Sequence, residues 1–296
     1  MNGERYFLIV NLIAGQGRCK AVFPRVKAAL ERRHISFDLH YTNEPMEAVD
    51  VAKMGIEAGF TRIVAMGGDG TVNEVANGVL GSPAALGVIP AGTGNDFVRT
   101  LGIPSDPLEA LKMLSEAGER MIDVGRVGED RFFVNGLGIG IDAQVARDVL
   151  GMERLRGAPA YIYAAVKEVF RFGAFPVHLE GQGISEDLRC LSLGVANGKY
   201  CGGGFMLAPR ASVDDGLIDV AAIGDFPRME RLLRLPQARA GKHLKLPQVR
   251  YVQVPRIRVS SDAKLIAHMD GEPYELPRAA FEVGVVPKAL RVLVPA

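Results

Sequence analysis

The chain has no tryptophan, and only three of its 296 residues are cysteine. Cys19, Cys190 and Cys201 are an odd number at wide spacing, with no Cys-x-x-Cys pair. That excludes a disulfide framework and a cysteine-built zinc site, and it fits a reducing compartment. Histidine is scarce as well: His34, His40, His178, His243 and His268 are scattered without metal-ligand spacing. No charge of one sign prevails, since 35 Lys and Arg face 34 Asp and Glu for a net of +1. Wholesale binding to nucleic acid is therefore not expected. Long apolar runs are missing, none nearing the roughly 18 residues that a membrane span needs. The start, "MNGERYFLIVN", is charged and then strand-like, unlike a signal peptide. These absences lead to the expectation of a cytoplasmic protein, with peripheral contact at the inner membrane face as its only route to a bilayer.

What is present is a soluble globular composition, 48% hydrophobic and 23% charged, in a chain long enough for two domains. Strand and helix patterns alternate over the first part. "YFLIVN", "SFDLHYT", "RIVAMGG" and "ALGVIPAG" read as strands. "AVFPRVKAALERR", "PMEAVDVAKMGIEAG" and "VNEVANGVL" read as the helices between them. Such alternation predicts a mostly parallel sheet with helices on both faces. After "RMIDVGRV" strand-like runs follow one another, interrupted by one helical patch, "GAPAYIYAAVKEVFRFG". The expected layout is an α/β domain over residues 1–123 and a mainly antiparallel β domain over 124–287. The closing strand, 288–296, is assignable to either.

Glycines cluster where strands end. "VAMGGDGTVNEV" places Gly67, Gly68, Asp69, Gly70 and Thr71 at a strand-to-helix junction, where unpaired amides and the helix dipole favour an anion. Glycines there let phosphate oxygens reach the backbone, Thr71 can cap the helix or donate its hydroxyl, and Asp69 suits an intervening Mg²⁺. The plainer alternative is a tight turn with an aspartate cap. No Gly-Lys-Ser/Thr follows, so this is not a P-loop. The next strand ends alike in "PAGTGNDF", with Thr93, Asn95 and Asp96. "NLIAGQGR" and Thr42 close the other two. Four such loops predict a ligand crevice at the carboxyl edge of the sheet.

"GGDGTVNEV" and "PAGTGNDF" together resemble the catalytic domain of the diacylglycerol kinase family, which includes sphingosine, ceramide and bacterial lipid kinases. The resemblance continues in order through "FFVNGLGIGIDAQV", "GGGFMLAPRASVDDGLIDV" and "HMDGEP", nearly the whole chain. One departure is Asn11-Leu12, where the family usually has Asn-Pro. The resemblance implies an ATP-dependent kinase that phosphorylates a lipid hydroxyl in a cleft between the two domains. Carried over by position, Gly67, Gly68, Asp69, Gly70, Thr71, Val72 and Asn73 would hold the ATP phosphates. Thr93 would touch the nucleotide, Thr42 would lie near ribose and adenine, and Asn95 and Asp96 would line the same cleft. A structural Mg²⁺ would sit on the Asp215 side chain with the Ser212 and Leu217 carbonyls; a solvated acidic turn is the alternative there.

Transfer to a hydroxyl asks for a carboxylate that accepts its proton. Asp270 and Glu272, two apart in "DGE", fall on one face if the segment is an extended strand. The resemblance favours Glu272 as the catalytic position with Asp270 in support. An ordinary Asp-Gly hairpin turn is the competing interpretation.

Between Arg228 and Arg250 the segment "RMERLLRLPQARAGKHLKLPQVR" carries Arg231, Arg234, Arg239, Lys242 and Lys245 against one acid, Glu230, with leucines between. It reads as a contact surface for anionic lipid or as a solvated face. The apolar "GAPAYIYAAVKEVF" is a candidate acyl pocket. A homodimer is a further expectation. Two rivals stay open: an NAD kinase-like enzyme, which shares the GGDG loop, and a nucleotide-sensing module without catalysis.

Overall fold

A computed structural model describes residues 5–152, 155, 158–276 and 280–296. Met1 to Glu4 of the opening stretch and Gly157 of the helical patch lie outside them. The chain divides into two compact units, Met1–Ile122 with Lys288–Ala296, and Asp123–Pro287.

In the first unit β1 (Arg5–Val10), β2 (Ser36–Tyr41), β3 (Arg62–Gly67) and β4 (Ala85–Pro90) alternate with α1 (Arg18–Arg32), α2 (Glu47–Glu57) and α3 (Asp69–Val79). All adjacent strands are parallel, in the spatial order β2-β1-β3-β4. β4 is buried along its whole length, as a parallel strand covered on both faces must be. Two short helices and a strand follow that the sequence did not announce as helices: α4 (Asp96–Thr100), α5 (Pro107–Leu114) and then β5 (Gly118–Val127). α5 has a plain start signal, because Asp106 accepts the Leu108 and Glu109 amides at 2.9 and 3.1 Å and Pro107 takes the first helical position. One core joins β1, β3 and β4 to α1 and α5 through residues such as Leu8, Phe23, Met66, Ile89 and Leu111.

The second unit holds β6 (Arg131–Phe133), β7 (Gly136–Gly140), α6 (Ile141–Leu150), α7 (Ala158–Arg171), β8 (Phe175–Gly181), β9 (Ile184–Ala196) and β10 (Ile218–Gly224). It continues with α8 (Arg228–Arg239), a 3₁₀ turn at His243–Lys245, β11 (Val249–Val254), β12 (Arg256–Ser260), β13 (Ala267–Met269), β14 (Glu272–Tyr274) and β15 (Ala280–Val294). The pairings of β7 to β14 are antiparallel, organised around the 13-residue β9, which pairs with β7, β8 and β10. Its core packs Phe133, Leu193, Val195, Val220, Ile257 and Val283. Both layouts are of the expected class, parallel α/β and antiparallel β. The last strand is shared. β15 pairs antiparallel with β12, and its end, from Lys288, belongs to the first unit, where Val292 pairs parallel with Leu86 of β4.

Candidate functional site

β1 connects outward to β2, whereas β3 connects the other way to β4. The carboxyl edge between β1 and β3 is therefore the point where the winding reverses, the usual place for a ligand in an open α/β sheet. Asn11, the first residue after β1, bridges it by donating from Nδ2 to Thr71 Oγ1 at 3.1 Å.

The glycines at this edge serve loop against loop. Gly68 and Gly92 face each other so closely that a Cβ on Gly92 would collide with the Gly68 Cα. A Cβ on Gly94 would stand 2.7 Å from Asp69 Oδ2. Asp69, in the first turn of α3, reaches out of its own helix. Its Oδ1 accepts the Asp96 amide at 2.8 Å and the Phe97 amide at 3.4 Å, which caps α4. Asn95, in the left-handed region at φ 52°, turns its side chain back on Gly92. Its Oδ1 accepts the Gly92 amide and its Nδ2 donates to the Gly92 carbonyl, both at 3.1 Å.

The residues named from the sequence take definite places at this edge. The Asn95 and Asp96 side chains are buried in this scaffold and hold the loop, Asp96 paired with Arg99 at 2.8 Å. Val72 is buried and its amide is used on the Gly68 carbonyl at 3.0 Å. Thr71 is engaged by Asn11 and does not cap α3. Asn73 is half-buried, its carbonyl taken by Asn77 Nδ2 at 2.8 Å. Thr93 is exposed, and Thr42 extends the β2 ladder through its amide on the Val10 carbonyl at 3.0 Å. α3 begins at the same edge with Gly68 at its cap position, which has no side chain to cap the helix. The amides of Gly70 and Thr71 there have no partner within the helix, as in any first turn.

In the second unit the "DGE" segment is a turn. Met269 pairs with Glu272, so Asp270 and Gly271 form a two-residue connection with φ 48° and 91°. Two successive positive φ values are the geometry of the Asp-Gly hairpin turn. The expectation that Asp270 and Glu272 share a strand face is therefore corrected. Asp270 is buried and folds onto the motif "FVNG": Oδ2 accepts Val134 N at 2.8 Å, and Oδ1 accepts Asn135 N at 3.0 Å and Gly136 N at 2.7 Å. Glu272 is exposed at the head of β14.

Residues missed by sequence reasoning complete this hub. Asn197 donates to the Asp123 and Val134 carbonyls at 2.9 and 2.8 Å. His268 Nδ1 accepts the Gly271 amide at 3.2 Å, while Nε2 lies 3.4 Å from Asp142 Oδ2 and 3.6 Å from Cys201 Sγ. Gly138 leaves them room, since a Cβ there would strike both His268 and Asp142. His, Cys and Asp at this spacing suggest a metal centre. Asp142 and Cys201 favour a charged ring against its burial. The Gly271 amide needs a lone pair on Nδ1, which puts a neutral ring's proton on Nε2, facing Cys201 Sγ at 3.6 Å with Asp142 3.4 Å away. In that tautomer Nε2 has no lone pair for a metal, and His268 clasps the turn through the Gly271 amide.

At "SVDDGLID" Asp215 is exposed and its Oδ1 accepts the Leu217 amide at 3.0 Å. Asp123 Oδ2 accepts the Gly216 amide at 2.7 Å, and Ser212 Oγ donates to Asp214 at 2.7 Å. Partial burial and then the neighbouring Asp123 and Asp214 raise the Asp215 carboxyl above its ordinary range. Burial pushes Asp219 up to about 6. Mutually repelling carboxylates of this kind are relieved by a cation, so the residues fit the implied site.

The diacylglycerol kinase catalytic domain matches residues 5–127, and the YegS C-terminal NAD kinase beta sandwich-like domain matches residues 136–294. A probable lipid kinase YegS-like protein of Chromohalobacter salexigens is 32% identical over 278 residues, 90% of this chain and 88% of the relative. The chain belongs to the diacylglycerol kinase family. A second relative, the probable lipid kinase YegS-like protein of Pseudomonas putida, is 33% identical over 88% of this chain and 85% of its own length. The crystal structure of a diacylglycerol kinase from Bacillus anthracis str. Sterne superposes with a TM-score of 0.73 at 22% identity, covering 99% and 98% of the two chains, which is a likeness of fold. Membership makes the chain an enzyme, and places the glycine loops in the matched catalytic domain and the Asp270 hub in the matched C-terminal one.

Proposed function

We propose that the chain transfers the γ-phosphoryl group of ATP to the hydroxyl of a lipid, diacylglycerol or a related alcohol. The observation that carries this reading is the N-terminus of α3, where Gly68 at the cap position brings no side chain, Asp69 Oδ1 braces the neighbouring loop, and the first-turn amides are the groups proposed to meet an anion. Gly67, Gly68, Gly70 and Thr71 are assigned to the phosphates, with Asn73, Thr93 and Thr42 further along the nucleotide. Mg²⁺, when bound, would offset the charge on the phosphate oxygens, and the second Asp69 oxygen is the group proposed to serve it. A structural cation is assigned to Asp215 with the Ser212 and Leu217 carbonyls.

Glu272 is assigned as the base. As the acceptor oxygen bonds to the γ-phosphorus and the bond to the β-phosphate oxygen breaks, its proton passes to the Glu272 carboxylate. Asp270 never reaches the hydroxyl in this scheme; it fixes the turn on which Glu272 stands. Positioning and charge neutralisation carry most of the acceleration, proton acceptance less.

Incubation with γ-labelled ATP and Mg²⁺, offering a total lipid extract in one arm and NAD in the other, tests the proposal. Label in an extracted lipid is the expected result. Label in NAD would make the chain an NAD kinase-like enzyme. Label in neither would leave the nucleotide-sensing alternative.

A further inference from the structure

α7 is apolar on two faces. Inward it places Ala160 and Ala164, both fully buried; outward it places Ile162, 65% exposed, Tyr163, 56% exposed, and the exposed Val166 and Phe170. Spacings of three and four put the outward residues in one stripe. A helix that only covers a core buries its large side chains, whereas this one buries Val169 with the alanines and gives Ile162, Tyr163, Val166 and Phe170 to solvent. The stretch named as a candidate acyl pocket thus carries these side chains on its surface.

Among the described residues of α7 and α8, and at Asp148 of α6 and Asp225 just before α8, each acid is paired with a cation: Asp148 and Glu168 with Lys167, Asp225 with Arg231, Glu230 with Arg234. Among the described residues from Arg147 to Arg171, the exposed positions besides Gly151 and Pro159 are apolar or are Arg147 and Arg171. Asp148 and Glu168 lie against Lys167 at 2.5 and 3.3 Å. α8 is tied to the end of α7 by Arg231, which donates to the Val169 and Phe172 carbonyls at 3.0 and 2.8 Å. It adds outward Met229 and Leu233, 65% and 72% exposed, beside exposed Arg228.

We propose that the outward faces of α7 and α8 dock on a bilayer bearing anionic headgroups, with Ile162, Tyr163, Val166 and Phe170 entering the interfacial layer. Apolar area and nearby cations are the two terms that hold a protein in that layer. A second copy fits the surface less well, because a two-fold contact would set Arg171 and Arg228 against cations of the same patch. The proposal rests on the lipid kinase reading for its biological sense, while the surface itself rests on exposure and charge.

The test uses the full chain with Tyr163→Trp, a clean reporter because the sequence has no other tryptophan. Phosphatidylglycerol vesicles should shift its emission to the blue, phosphatidylcholine vesicles should do so weakly, and 1 M salt should reverse the shift by screening. Ile162→Gln with Val166→Gln and Phe170→Gln should lower vesicle partition at least about tenfold, with the melting temperature kept. Arg171→Glu with Arg228→Glu should abolish the preference for phosphatidylglycerol. Turnover of a short-chain, water-soluble acceptor should survive in both variants. Undiminished vesicle binding in the glutamine variant would overturn the proposal. So would a wild-type dimer that this variant converts to monomer, which would assign the face to a second copy. Full vesicle binding with no phosphoryl transfer to any alcohol would sink the kinase reading and leave the surface standing.

Discussion

Two Asp-Gly dipeptides carry the two candidate sites, and they are built in opposite ways. Asp69-Gly70 lies inside the first turn of α3, and its carboxylate leaves its own helix to cap α4 across the loop pair. Asp270-Gly271 is a hairpin turn at positive φ, and its carboxylate folds inward on three amides of one segment. The difference lies in the neighbours. A helical pattern follows Asp69, so the chain enters α3 and the side chain is left to bridge loops. Short strands flank Asp270, so the backbone takes the turn and the side chain is enclosed. A third pair, Asp215-Gly216, stands between these extremes, exposed with one oxygen on the Leu217 amide. The same dipeptide thus braces a loop, anchors a turn or stays exposed according to its surroundings.

Asp270→Ala should break the comparison most visibly. Three buried amides would lose their acceptor at once, and a cost of about 3 kcal/mol or more is expected in denaturant unfolding. A loss under about 1 kcal/mol would show that the turn does not depend on this anchor. Glu272→Gln, two residues on and exposed, should instead keep stability and nucleotide affinity while kcat falls roughly 10²-fold or more. Collapse of ATP affinity in that variant would make Glu272 a nucleotide ligand.

The Asp215 pair is the one expected to respond to metal. Mg²⁺ at about ten times its dissociation constant should stabilise the wild type by about 1.4 kcal/mol through mass action. Asp215→Ala should erase that gain. Equal melting curves with and without Mg²⁺ in the wild type would return the segment to a solvated turn.

For Asp69 the expected loss of stability is smaller, about 1 kcal/mol for Asp69→Ala, the value of a lost cap. Asp69→Asn keeps an acceptor oxygen for the Asp96 amide and should restore the stability but not the turnover. Full turnover in the asparagine variant would reduce Asp69 to a brace. An acid outside any Asp-Gly pair gives the baseline. Glu47 accepts the Asn43 and Glu44 amides at 2.7 and 3.1 Å and meets His40, which lowers its carboxyl to about 2. Because the folded value lies below the unfolded one, its contribution is present above about pH 4.3 and is lost as pH falls toward 2. Glu47→Gln should flatten the stability profile slightly in that window, as urea midpoints across pH would record.

Much of the cationic segment from Arg228 to Arg250 also changes character once its partners are seen. Arg231 is bound to three backbone carbonyls and to Asp225, Arg234 to Glu230, and Arg250 to Glu186. Arg231 is thus a structural fastener, unsuited to a test of membrane binding.

The alternation of strands and helices, the switch to antiparallel strands and the glycine loops were all legible in the sequence, because periodicity and turn residues are local signals. The Asp270 anchor was not, since its amides lie about 135 positions away. Nor was the Asn11 bridge to Thr71, 60 positions apart. Local composition by itself determined which segments become strands, helices and turns, since each depends on side-chain period and backbone freedom over a few residues. Only the tertiary structure decided that Gly68 packs on Gly92, that Asp69 caps a second helix, and that the large side chains of α7 face outward. Those outcomes depend on which distant segment comes to lie alongside, and packing settles that after the local pattern has formed.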